Sequence, residues 1–386
     1  MRGFSFNRRK SRLPDEALLP GARSRPVNWS SIGLAALVAL FVFLDTISFA
    51  IFTIGADWAP VWLGGRMSWT DPNLAYDIDL ITAAQEPLVG VPGDRPFVYP
   101  PSALLLYAPL AALPFSISFL LFGALSLGLF LRAASAFAPR PILLLLAPPV
   151  ALAVMAGQPT ILVMALIVLG LTRLDRDEGW AGLLFAIAAM IKPPLLLLAP
   201  VALVAGGYWC ALVAAGVGCA AIGAVSLAVF GLDAWLAWLS ALPAFNALVT
   251  EFEPLLRNAV TPHAMAVRLD LPPFLATAAA ALVAVPLAWL GFARTRDLEV
   301  RLVTLVGGAL LVSPYAMNYE LAAFAPVVAA VRFERLRDFV MPVVWAGSLF
   351  ATWSIAGLVA VYAWGVFRLL ADRREAVAAT ASGHAC

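Results

Sequence analysis

Three times along this chain, two short apolar stretches meet at a polar or proline-rich tip. Pro141–Ala156 and Thr160–Leu171 flank Gly157-Gln158-Pro159, and Gly179–Ile191 and Leu195–Ala205 flank Lys192-Pro193-Pro194. Leu302–Val312 and Leu321–Val331 flank the segment from Ser313 to Glu320. At about 1.5 Å per residue, none of these stretches crosses a bilayer core of about 30 Å by itself. A helix that stops at membrane depth cannot show its broken end to lipid, because unsatisfied backbone groups are too costly there. The tips must therefore line a wet cavity enclosed by protein. The charges between the pairs (Arg173 and Arg176; Arg294, Arg296 and Arg301; Arg332, Arg335 and Arg337) belong inside, so all three tips face outward.

Composition agrees with a membrane-embedded chain. Of 386 residues, 62% are hydrophobic and 12% charged, against about 45–50% and about 25% in soluble domains. This excludes a soluble enzyme and a disordered chain. Cys210, Cys219 and Cys386 are too few for a disulfide scaffold, and His263 and His384 are too few for a Cys/His metal site. A net charge of +2 leaves no nucleic-acid footprint. Walker A, GxGxxG, DxD and HExxH patterns are absent in plausible context. Neither a metal nor a cofactor is expected.

The basic segment 1–29 is expected in the cytoplasm, followed by an uncleaved signal-anchor helix over Ser30–Ile54. Hydropathy collapses over 55–98, an external loop long enough to be functional. Pro100–Leu113 reads as an interfacial or re-entrant helix, and Phe115–Phe137 as an inward crossing. Tyr208–Phe230 and Phe274–Ala293 read as ordinary spans joined by a second external loop that carries Glu251, Glu253, Arg257, Asn258 and His263. Asp338–Phe367 fits one long span or two short ones, and 368–386 is a polar tail. The expected fold is an all-α polytopic membrane protein of about 10–12 transmembrane or partial-span helices, with 30–367 as one domain. Internal repeats, common in secondary transporters, are not evident.

Several side chains in this frame carry possible chemistry. Asp57 stands just past the first helix, where a carboxylate over an apolar cavity suits a general base; an ordinary loop acid is the plainer reading. Asp71, Asp77 and Asp79 fit the plainer reading better. Lys192 is one of only two lysines, and Pro193 and Pro194 place it at a helix N-terminus, a spot that attracts phosphate. A snorkelling lysine is the alternative. Gln158 suits a polar ligand or loose backbone groups, and Tyr99-Pro100-Pro101 marks a rigid re-entry. Asn318, Tyr319 and Glu320 bring hydrogen-bonding groups to the third tip, although Glu320 could pair with an arginine. Trp58, Trp62, Trp69 and Tyr76 could stack on sugars or form an interfacial belt. Asp45, inside the first helix, is a functional candidate or an interhelical hydrogen-bond donor or acceptor.

Taken in order, these segments resemble glycosyltransferase family 87, also filed as DUF2029, over about residues 30–335. The likeness is carried by Asp57-Trp58-x-x-x-Trp62-x-x-Gly65-Arg66 and by Asp71-Pro72-x-x-x-Tyr76-Asp77. It continues through Pro96-Phe97-x-Tyr99-Pro100-Pro101 and Pro109-Leu110-x-x-Leu113-Pro114. Gly157-Gln158, Lys192-Pro193, Ser313-Pro314-Tyr315 and Asn318-Tyr319-Glu320 follow in order. The resemblance implies a glycosyltransferase-C-like bundle and a polyprenyl-phosphate-linked sugar donor, with mannose favoured. It also implies an inverting reaction without a required metal and Asp57 as the base. The acceptor would be a glycan or glycolipid, and the site would face the periplasm at a bacterial inner membrane. Tyr99, Gln158, Lys192, Asn318, Tyr319, Glu320, Arg66 and Trp62 are the candidate donor-site residues. A transporter or flippase of a lipid-linked or anionic solute is the competing expectation, and an envelope-assembly scaffold a third.

Overall fold

The computed structural model describes residues 54–90, 95–137, 141–333, 335–349 and 355–383. The expected signal-anchor helix up to residue 53, the basic segment before it and Asp45 lie outside the described residues. Helices form the whole of the described regular structure, apart from one isolated bridge between Ala259 and Met317. Three of them, Phe115–Ala134, Trp209–Glu251 and Pro273–Arg294, are long and apolar enough to cross a bilayer. The protein is an all-α membrane protein of the expected polytopic form.

The first loop is itself folded. It holds helix α1 (Trp58–Met67), a 3-10 turn (Pro72–Tyr76) and α2 (Ile78–Val89). Asp71 accepts from the Asn73 N–H and Asp77 from the Leu80 N–H, so both acids cap local structure rather than reach a ligand. Helix α1 sinks into the bundle through Trp58, which stacks on Phe122 at 4.3 Å and meets Tyr107 edge-on. Its neighbours are α3 (Pro101–Ala111) and α4 (Phe115–Ala134).

The three broken pairs follow. Helices α5 (Pro148–Ala156) and α6 (Thr160–Arg173) meet at Gly157, whose φ of 81° is left-handed and whose added Cβ would lie 2.6 Å from that of Trp58. Only glycine turns the chain there and still lets α1 approach. Helix α7 (Glu178–Ile191) ends at Lys192, a short 3-10 turn (Pro193–Leu196) follows, and α8 (Ala199–Gly206) completes the second pair. Helix α9 (Trp209–Glu251) comes next, then the short α10 (Glu253–Asn258) and α11 (Pro262–Arg268), and α12 (Pro273–Arg294). In the third pair, α13 (Leu298–Leu302) passes through a π-helical turn (Val303–Gly307) into α14 (Gly308–Val312). Beyond the tip, a 3-10 segment (Asn318–Phe324) leads into α15 (Ala325–Ala330).

One expectation changes, and at the C-terminus one of two alternatives holds. The segment after Phe230 is helical rather than a loop: α9 breaks only at Gly231, with φ 81° and ψ 168°, and then runs on to Glu251. The C-terminal stretch is two helices, α16 (Val340–Gly347) and α17 (Ile355–Gly383), and the second absorbs much of the expected polar tail. Arg368 lies within α17 and pairs with Asp297 at 2.5 Å and Glu299 at 3.1 Å. Arg301, 2% exposed, is held nearby by Tyr208, Asp175 and the Thr295 carbonyl. These ion pairs sit at the helix ends opposite the tips, where charge was expected.

Candidate active site

Asp57 occupies the N-cap position of α1 without capping it. Its backbone is pinned to the first tip instead: Gly55 N–H donates to the Met155 carbonyl and Asp57 N–H to that of Ala156. The carboxylate is thereby turned toward Gln158, whose Nε2 donates to Oδ2 at 2.7 Å. Arg95 Nε lies 3.5 Å from Oδ1. The Tyr99 hydroxyl donates to Gln158 Oε1 at 3.5 Å, which fixes which way the amide faces. Tyr76 donates to the Tyr99 carbonyl in turn. Burial pushes the Asp57 carboxyl above its usual range, against the lowering influence of the Gln158 hydrogen bond and the charges of Arg95 and Lys192. The side chain is still 24% exposed, into a small chamber of about 90 Å³ whose polar groups include Arg95, Tyr99, Gln158, Tyr315 and Tyr319.

A larger chamber of about 550 Å³ adjoins it. Val98, Tyr99, Phe245 and Tyr315 line both and form the partition. Apolar side chains dominate the larger chamber, among them Leu197, Leu239, Leu242 and Pro243; the polar groups include Lys192, Glu320, Asn246 and Ser313. Lys192 Nζ bonds Glu320 Oε1 and donates to Thr160 Oγ1 at 2.8 Å, and the Thr160 hydroxyl donates to Glu320 Oε2 at 2.9 Å. The Tyr319 ring lies 5.3 Å from the ammonium.

Thus Asp57, Tyr99, Gln158, Lys192, Tyr319 and Glu320 come together from separate stretches of the chain. Asn318 is buried beside them and donates to Asn258 Oδ1 at 3.3 Å. Trp62 and Arg66 stay apart. The Trp62 indole donates to the Leu113 carbonyl and meets Phe115 edge-on, while Arg66 is exposed at the far end of α1. Lys192 heads only a four-residue 3-10 turn, not a long helix, so its surroundings are set by Glu320 and Thr160 rather than by a helix dipole. Trp58 and Tyr76 are buried in the protein, and Trp69 donates to the Ala108 carbonyl.

Sequence reasoning missed three contributors. Arg95 is one of several charges in the 55–98 loop, with nothing in the sequence to single it out. Thr160 carries no sequence signal beyond its place next to the first tip. The second half of α9, expected as loop, roofs both chambers: Trp238 donates to the Val98 carbonyl and Phe245 packs edge-on against Tyr315. Its signal was the apolar run continuing past Gly231.

The family model described as glycosyltransferase family 87 matches residues 97–314, more than half of the chain. The chain belongs to that family and is a glycosyltransferase. No curated protein and no solved structure matches it.

Proposed function

We propose that this glycosyltransferase moves a hexose, mannose favoured, from a polyprenyl-phosphate sugar to a lipid-linked or envelope glycan, with Asp57 as general base. The observation that carries the reading is the pairing of chambers: an oriented carboxylate lines a small pocket that shares a wall with an apolar cavity lined by Lys192. An apolar cavity of this size beside an acid suits a lipid-linked donor better than a soluble nucleotide sugar. Leu239, 52% exposed, and Leu197, 48% exposed, continue its walls to the protein surface. Such a surface would let a prenyl chain enter from the bilayer.

In this mechanism the acceptor hydroxyl approaches Asp57 Oδ1, whose contact with Arg95 is the longer at 3.5 Å, while Oδ2 is held by Gln158 at 2.7 Å. The proton passes to the carboxylate as the hydroxyl oxygen attacks the anomeric carbon from the face opposite the phosphate. The bond from that carbon to the phosphate oxygen breaks and its electron pair leaves with the lipid phosphate. Charge develops on the phosphate beside Lys192, where a preorganised donor lowers the barrier most. The site would face the periplasm of a bacterial inner membrane, because the arginines at the opposite ends of the helices favour the cytoplasm.

The test is sugar transfer from radiolabelled polyprenyl-phosphate mannose in membranes that contain wild type or Asp57→Asn at matched levels, with glucose and arabinose donors alongside. Transfer should fall about 10²–10⁴-fold in the variant. Equal transfer by the two proteins would remove Asp57 from the role of base.

A further inference from the structure

We propose that Glu320 is a charge-selecting residue: by neutralising Lys192, it lets the apolar chamber hold a lipid phosphodiester with one negative charge and turn away a lipid phosphomonoester with two. This rests on the proposed donor reading and assigns a function to the one chamber acid that the mechanism leaves unused.

The four charged side chains that line the two chambers, Asp57, Arg95, Lys192 and Glu320, sum to zero. Lys192 and Glu320 are 7% and 3% exposed, so solvent does little to screen either. Lys192, Thr160 and Glu320 close a hydrogen-bonded ring in which both carboxylate oxygens accept. Two of the three ammonium N–H groups are used inside that ring, which leaves one for a phosphate oxygen. A bare buried ammonium would favour the more highly charged anion. A neutralised one cannot, because the continuum cost of burying a charge grows with its square and nothing in the chamber offsets a second negative charge.

The reaction changes that charge. A proton moves from the acceptor hydroxyl to Asp57, the new carbon–oxygen bond forms, and the old one breaks with its electrons staying on the phosphate. The donor is a diester with one negative charge; the product is a monoester with about −1.5 to −2 at pH 7. Negative charge therefore passes from the Asp57 chamber to the apolar one, where Glu320 already stands. The remaining Lys192 N–H meets the leaving oxygen as the bond breaks, and once the dianion is complete the Glu320 carboxylate repels it and speeds its release.

The experiment compares farnesyl phosphate with its methyl phosphodiester, titrated calorimetrically at pH 8 into the detergent-solubilised full chain. Wild type should bind the diester about tenfold tighter, equivalent to about 1.4 kcal/mol. Glu320→Gln should erase or invert that preference, and Glu320→Asp should keep it. Equal or tighter binding of the monoester by wild type would overturn charge selection and leave the lipid-phosphate donor standing. A folded Glu320→Gln protein with an unchanged ratio would do the same. Binding of neither ligand would remove the lipid-phosphate reading together with this one. The wild-type comparison needs no variant, so it stands even if Glu320→Gln fails to fold.

Discussion

Asp57 is a carboxylate with Oδ2 held by Gln158 at 2.7 Å and Oδ1 3.5 Å from Arg95, and its titration should report both partners. Burial raises its folded-state pKa above 3.8, so the base form is lost as pH falls through that raised value. The acid limb of kcat/KM should therefore lie above the ordinary aspartate range. Arg95→Ala and Gln158→Ala should each move it further up, since each removes a group that favours the anion; a pH–rate profile checks this. The stability consequence has the opposite sign. A raised folded pKa gives stability that is full below the unfolded value and lost as pH rises through the folded one. At pH 8 the ionised carboxylate is thus a burden on the fold, and Asp57→Asn should melt no lower than wild type while losing transfer.

Among the elements, the second half of α9 sets access to the site, and Gly231 sets its direction. The φ of 81° and ψ of 168° there belong to a region open essentially only to glycine, and an added Cβ would meet no atom within 4 Å. Gly231→Ala should therefore act through the backbone and not by collision. A strain of about 1–3 kcal/mol is relieved if α9 straightens and swings its C-terminal half off the chambers. The expected outcome is a several-fold rise in KM for the lipid donor at nearly unchanged kcat and melting temperature. Trp238→Phe, which removes the bond to the Val98 carbonyl, should move KM the same way. Steady-state kinetics on both variants separate this from a loss of fold.

Across the whole molecule, the tips gather the candidate site with its pairs Arg95–Asp57 and Lys192–Glu320, and the other ends of the helices carry a second set of ion pairs. Arg301 holds the latter together, bonded to Tyr208, Asp175 and the Thr295 carbonyl and lying over the rings of Tyr208 and Phe292. Arg301→Ala takes the guanidinium from the Thr295 carbonyl and from the two rings, while Asp175 keeps Arg296 and the Tyr208 hydroxyl; the expected outcome is a lower melting temperature with the tips still in place. Sidedness is checked by labelling single cysteines after the native thiols, including the exposed Cys210, are replaced. A cysteine at Arg66 should react from the periplasm and one at Arg335 only after the membrane is opened. The reverse pattern would put the tips in the cytoplasm.

Much of this was legible along the chain. Apolar runs too short to span a bilayer required a shared cavity at the tips, because backbone groups cannot go unpaired in lipid. Gly157, Pro193 and Pro314 marked the tips because they punctuate helices in any setting. Contacts across long separations were not legible. Gln158 and Asp57 are 101 residues apart and Lys192 and Glu320 are 128, so no local pattern of charge or period links either pair. Arg95 and Thr160 gained their roles only when packing brought them beside Asp57 and Glu320, and the roof of the site depended on a turn at Gly231 that only glycine makes easily. Local periodicity and solvent preference act over a few residues and fix helices and their ends. Which side chain neutralises which is a property of the packed interior, where burial makes an unpaired charge costly and so selects its partner.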